Sequence, residues 1–192
     1  MAKKIYSQLT IDEVINFDKN KQPIKQVLII NGSGGVGKDT FVSTLGKYIS
    51  VVHESIINPV KDIAHDAGWN GDKTEKGRAF LSALKIAMGE YNDYPYTCME
   101  KVVNWFKTTD NEILCIDMRE PEDITRAKQE FNAKTVLVMR PSVKQIKTNK
   151  ADAGVYDIGY DYIVDNSSDS EHLQEEVELF LRKLKGDLWK EQ

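Results

Sequence analysis

The chain has little cysteine, little proline and no long apolar run. Only Cys98 and Cys115 occur in 192 residues, too few for a disulfide-stapled scaffold, so a reduced, cytoplasmic setting is expected. With 5 Pro and 12 Gly, collagen-like and low-complexity folds are excluded. No apolar stretch approaches the roughly 18 to 20 residues that cross a bilayer, and residues 1–7 lack the apolar centre of a secretory signal. No membrane partner is expected. Positive charge is not in surplus either: 26 basic against 30 acidic residues leave a formal charge of -4, which argues against a surface that grips a nucleic-acid polymer throughout. Any polyanion site must be local. What is present, 41% hydrophobic and 29% charged residues, suits one domain with one substantial core.

Four short apolar runs stand out: Val27-Leu28-Ile29-Ile30, Ile113-Leu114-Cys115-Ile116, Val136-Leu137-Val138-Met139 and Tyr162-Ile163-Val164. They lack polar alternation, as strands covered on both faces do. Ser55-Ile56-Ile57 is a shorter fifth candidate. Between them the period turns helical: Phe41, Leu45, Tyr48 and Ile49 share one face, as do Leu81, Leu84 and Met88, then Met99, Val102, Val103 and Phe106, and finally Leu173, Val177, Phe180, Leu181 and Leu184. Strands alternating with helices imply an α/β domain: a three-layer, doubly wound parallel sheet of about five strands, because parallel neighbours need a helical crossover. Residues 1–25 fit this scheme poorly and read as an N-terminal extension, or as an added edge strand or helix.

Directly after the first run comes Gly32-Ser33-Gly34-Gly35-Val36-Gly37-Lys38-Asp39-Thr40, and then the helical pattern from Phe41 onward. This is G-x-x-x-x-G-K in the strand, loop, helix setting that it requires, the P-loop nucleoside triphosphate hydrolase type. Glycine lets the backbone curl until consecutive N–H groups face a phosphate. Lys38 adds a full charge near the β and γ phosphates, and the following helix adds its positive dipole end. The expected ligand is ATP with Mg²⁺. Asp39 stands where Ser or Thr usually offers magnesium a hydroxyl. It could hold hydrated Mg²⁺ or accept a hydrogen bond at the helix start. Thr40 is placed for an α or β phosphate oxygen.

The second run ends at Asp117, at the sheet edge where open α/β sheets bind ligands, so Asp117 either serves Mg²⁺ or caps the next helix. Arg119 follows, a guanidinium for the moving phosphoryl group or a partner of Glu120 or Glu122. Arg140 closes the third run and Arg78 opens the helix of Leu81; either could clamp a phosphate. The stretch from Arg140 to Asp152, with Lys144, Lys147 and Lys150, reads as a closing flap or as a solvated basic loop. His53, His65 and His172 show no ligand spacing with either cysteine, so zinc is not expected. The acids Asp169 and Glu171 read as capping for the last helix.

Taken together, Gly-Val-Gly-Lys-Asp-Thr, Asn58-Pro59-Val60-Lys61-Asp62, Arg78, Asp117-Met118-Arg119, Val138-Met139-Arg140-Pro141, Asp152-Ala153-Gly154 and Asp161-Tyr162-Ile163-Val164-Asp165-Asn166 resemble, in this order, the phage-type deoxynucleoside monophosphate kinases. The resemblance spans roughly residues 26 to 185, and animal-type phosphomevalonate kinase shares much of the layout. It implies a domain over 26–192, with acceptor-binding helices at about 59–109 and a lid-like segment at about 141–159. It further implies transfer of the γ-phosphoryl of ATP to a nucleoside monophosphate. Lys38, Asp39 and Thr40 then serve the donor, Arg119 and Arg140 the transferred group and Arg78 the acceptor. Apart from the resemblance, a homodimer is one candidate assembly. Where phage members often carry His and an acid before Ala-Gly, this chain has Asn149-Lys150-Ala151-Asp152. The alternatives are a non-nucleotide phosphate acceptor such as phosphomevalonate, and an ATP-binding module without turnover.

Overall fold

The computed structural model describes residues 25–143, 155, 156 and 158–190. Among these, five strands and six helices alternate: β1 (Gln26–Asn31), α1 (Lys38–Leu45), β2 (Val51–Ser55), α2 (Asn58–Asp66), α3 (Glu75–Asn92), α4 (Tyr94–Phe106), β3 (Ile113–Asp117), α5 (Pro121–Glu130), β4 (Lys134–Met139), β5 (Tyr162–Asp165) and α6 (Ser170–Lys190). All pairings are parallel and the strand order is β2-β3-β1-β4-β5. The apolar runs sit centrally because both faces are covered: Leu28, Ile29, Ile30 and Ile113 to Ile116 are fully buried.

Side chains from alternate strand positions feed two cores. Leu28, Ile30, Cys115, Val136 and Val138 pack with Phe41 and Leu45 of α1 and with Leu173, Val177, Phe180 and Leu184 of α6. Val27, Ile29, Leu114 and Ile116 pack with Tyr96, Met99, Val103 and Phe106 of α4 and with Ile124 and Ala127 of α5. Each layer therefore buries a continuous apolar stripe, the main favourable term in folding. By contrast α3 packs on α2 and α4, and Gly77 is its one buried residue.

Two expectations need correction. The fifth strand is Val51–Ser55, not 55–57. It is the sheet edge, only half-buried, so it lacks the apolar run that marks a central strand. The first helix stops at Leu45; Gly46 ends it, and the Lys47 and Tyr48 amides donate to Thr44 and Leu45 carbonyls in tighter i to i+3 turns. Tyr48 and Ile49 still reach the same core through those turns. The capping expectation at the last helix holds, since the His172 amide donates to Asp169 Oδ1 at 3.0 Å. Among the described residues no helix is long and apolar enough to cross a membrane. Nearly all of the extension at 1–25, and most of the lid-like segment with Lys144, Lys147, Lys150, Asp152 and the Ala153-Gly154 pair, lie outside the described residues.

Candidate phosphate and cation site

The loop between β1 and α1 is shaped by backbone that only glycine adopts freely. Gly32, Gly35 and Gly37 have φ of 146°, 82° and 91°, all in the region that side chains disfavour. At Gly32 a Cβ would also lie 2.5 Å from the Val138 carbonyl oxygen, so the loop leaves β1 pressed against β4. Gly37 is the N-cap of α1, and having no side chain it makes no side-chain cap bond to the first amides of the helix.

Three side chains brace the loop. Asn31 Oδ1 accepts the Gly32 amide at 2.7 Å, and Asn31 Nδ2 donates to Tyr160 Oη at 2.8 Å. Tyr160 in turn donates to the Val155 carbonyl at 2.6 Å, and burial pushes its phenol up to about 12. Asn166, after β5, is buried and donates from Nδ2 to the Val36 carbonyl at 2.8 Å, while its amide donates to the Met139 carbonyl. The loop is thus held from β4 and β5 as well as from its own ends. Asn31, Tyr160 and Asn166 were not singled out in the sequence as site residues; the one signal was Asn166 closing the Asp-Tyr-Ile-Val-Asp-Asn run.

Lys38, on the first turn of α1, is half-buried and donates to the Gly32 carbonyl at 2.8 Å and to the Ser33 carbonyl at 3.4 Å. Its ammonium therefore rests on the loop itself. A phosphate oxygen makes a stronger, charge-assisted bond than a neutral carbonyl, so an incoming polyphosphate can take the ammonium from these carbonyls. Thr40 is exposed one residue beyond Asp39.

Asp117 ends β3 level with Ile30 and Ser55 in the strand register. It does not cap α5, whose N-cap is Glu120. Its Oδ2 lies 3.2 Å from His53 Nε2, and its Oδ1 is buried without a hydrogen-bond partner among the described residues. Asp39, from the first turn of α1, brings a third donor: one ligand atom each from Asp39, His53 and Asp117 lie within 4.8 Å of one another. The hydrogen bond to Asp117 raises the His53 imidazole above its ordinary value against the opposing effect of burial, helped by the charges of Asp117, Asp39 and Glu54. Two carboxylates with one orphaned oxygen form a donor set suited to a divalent cation. The two acids expected to serve magnesium are therefore brought together, and His53, set aside in the sequence, stands with them.

The arginines divide. Arg119 is half-buried two residues past Asp117, and Met118 before it donates its amide to the Ile30 carbonyl, fixing this turn beside β1. Glu120 is an ion-pair partner of Lys85, at 2.6 Å, with Asp123 at 3.0 Å from the same ammonium. Burial raises the Asp123 carboxyl, partly offset by Lys85. Arg140 is exposed just past the end of β4. Arg78 is exposed on the first turn of α3, and among the described residues it makes no hydrogen bond or ion pair to the loop.

Among the aromatic residues of α2 to α4 and their connections, Trp69 packs on the His65 ring with centroids 4.7 Å apart. Tyr96 is buried, stacked on Phe131 at 5.4 Å and covered by the Arg126 guanidinium at 3.7 Å. Tyr91 and Tyr94 line a cleft of about 390 Å³ with Ile63, Ala87, Met88 and Asn92.

No family model matches the chain, and no curated protein matches it. Among solved structures, a shikimate kinase from Aquifex aeolicus superposes with a TM-score of 0.51 at 15% identity, over 85% of this chain and 98% of its own. A shikimate kinase from Bacteroides thetaiotaomicron gives 0.50 at 14%, over 83% and 98%. The chain shares their fold. It is a five-stranded parallel α/β architecture with helices on both faces.

Proposed function

We propose that this protein is an ATP-dependent phosphotransferase that moves the γ-phosphoryl group to a nucleoside monophosphate. The observation that carries the transferase reading is the convergence, at one sheet edge, of a left-handed glycine loop, Lys38, the Asp39 and Asp117 carboxylates and Arg119. Phosphoryl transfer asks little covalent chemistry of a protein; positioning and charge neutralisation suffice. The loop amides and the N-terminus of α1 hold the β and γ phosphates, and Lys38 leaves the Gly32 carbonyl to bridge them. Asp39 and Asp117 would hold Mg²⁺, which when bound neutralises phosphate charge. Arg119, and Arg140 from the end of β4, meet the negative charge spread over the moving group. Arg78 takes the acceptor phosphate. No covalent intermediate is needed.

The acceptor class rests on the motif resemblance to phage-type deoxynucleoside monophosphate kinases. A second reading keeps the chemistry with a smaller non-nucleotide phosphate acceptor, and one observation favours it: Tyr96 is buried between Phe131 and the Arg126 guanidinium and so is closed to a base. A coupled assay of ADP formation with ATP and Mg²⁺, run over a panel of nucleoside and deoxynucleoside monophosphates and phosphomevalonate, separates the two. Acceptor-dependent ADP from a nucleotide supports the first and from phosphomevalonate alone the second. ATP-induced thermal stabilisation that Lys38→Ala abolishes, with no turnover on any acceptor, identifies a binding module instead.

A further inference from the structure

We propose that His53 completes, with Asp39 and Asp117, a cation site of mixed nitrogen and oxygen donors that loads without nucleotide and favours Mn²⁺ or Co²⁺ over Mg²⁺. The proposal deepens the cation role of the two aspartates and is independent of the acceptor. Its basis is geometric. Two ligands at right angles on one first-row ion, each about 2.1 Å from it, stand about 3 Å apart. His53 Nε2 and Asp117 Oδ2 are already 3.2 Å apart, and an Asp39 oxygen lies within 4.8 Å of one ligand atom of each. The three donors come from three different elements, β2, β3 and α1, packed in one sheet-and-helix layer. Little rearrangement is needed to close them on an ion.

Chemistry then decides which ion. Mg²⁺ demands hard oxygen ligands and keeps its waters, and in kinases it is usually held by one or two carboxylates plus the nucleotide's phosphates. An imidazole adds little to such an ion and more to a first-row transition ion, least to Mn²⁺ and increasingly toward Co²⁺. A third protein ligand also makes binding less dependent on the phosphates. Asp117 Oδ1 adds a second pointer: among the described residues this buried carboxylate oxygen has no donor, which is costly, and a cation on the same carboxylate offsets that cost. His53 is on the exposed edge strand, so an ion can reach it from solvent.

The test uses the full chain without nucleotide, titrated with Mn²⁺ while free Mn²⁺ is followed by electron paramagnetic resonance, and with Mg²⁺ as competitor. One Mn²⁺ per chain is expected, with Mg²⁺ competing at least about tenfold more weakly. His53→Gln should weaken Mn²⁺ binding by about tenfold or more, the scale seen when even supporting groups of metal sites are removed, and shift Mg²⁺ binding by less than about threefold. Asp117→Asn should abolish both. The Co²⁺ visible spectrum gives a second readout, because loss of the nitrogen ligand alters the bands in His53→Gln while circular dichroism reports that the variant is folded. Unchanged Mn²⁺ affinity and an unchanged Co²⁺ spectrum in folded His53→Gln overturn the proposal. So does a wild-type chain that takes up no Mn²⁺ without nucleotide. Because neither readout requires turnover, absence of kinase activity with Mn²⁺ bound rejects the kinase reading while leaving the metal site standing.

Discussion

Substituting Gly37 and Asn166 singly and together measures how the phosphate loop is held. A Cβ on Gly37 would fall well inside contact distance of Asn166 Nδ2, the atom that donates to the Val36 carbonyl. Gly37→Ala carries two costs. The φ of 91° is outside the range a side chain tolerates, worth about 1 to 2 kcal/mol. The methyl must also push Asn166 aside and break its bond to Val36, stranding a buried carbonyl for about 1 to 3 kcal/mol. The single variant should therefore lose about 2 to 5 kcal/mol in total. Asn166→Ala should lose the bond alone, about 1 to 3 kcal/mol. In the double variant the bond can be lost only once, so its destabilisation should match that of Gly37→Ala and fall short of the sum by about 1 to 3 kcal/mol. Urea unfolding of the four proteins supplies the cycle, and ATP-induced thermal shifts report the loop's shape. Additivity within about 0.5 kcal/mol would refute the reasoning, because the methyl would then not be acting through Asn166.

Other perturbations follow from the same structure. Lys38→Ala should abolish ATP-induced stabilisation in a thermal-shift assay, because the ammonium that rests on the Gly32 and Ser33 carbonyls is the one placed to meet a phosphate. Lys85→Met removes the ammonium shared by Glu120 and Asp123, whose pairing ties α3 to the turn after Arg119. It should destabilise the fold by about 1 to 3 kcal/mol, read by urea unfolding, and raise KM for the acceptor more than KM for ATP. Asp161 Oδ2 accepts from the Thr135 amide at 2.7 Å and from its hydroxyl at 2.8 Å. Although burial opposes it, these bonds and Lys128 hold the carboxyl below its ordinary 3.8. Its contribution is therefore present above about pH 4 and lost as pH falls through the depressed value. Asp161→Ala should be less stable by about 1 to 3 kcal/mol at neutral pH, with the gap from wild type narrowing on acid titration. Finally, Cys115 is fully buried and burial pushes its thiol up, whereas Cys98 is half-buried. A thiol reagent should label Cys98 in the native protein and both cysteines only in denaturant.

The sheet and the phosphate loop were legible in the amino-acid order because their causes are local. A strand covered on both faces writes a continuous apolar run whatever lies beside it, and Gly32, Gly35 and Gly37 mark left-handed backbone by residue type alone. The edge strand wrote no such run. Half-buried Val51 to Ser55 carries His and Glu in its middle, so the strand was read four residues late and His53 was left off the sheet. Which strand lies next to which is likewise absent from any local pattern: His53 and Asp117 are 64 residues apart and meet only because β2 pairs with β3 in a register that sets His53 opposite Cys115. Asn166 reaches the loop across 130 residues for the same reason. The sequence by itself determined a parallel α/β sheet with an anion-binding turn after its first strand, since periodicity and glycine act within a few residues. Tertiary packing alone decided that an imidazole joins the two carboxylates and that Asn166 braces the loop, because contact between distant residues is set by strand order and register.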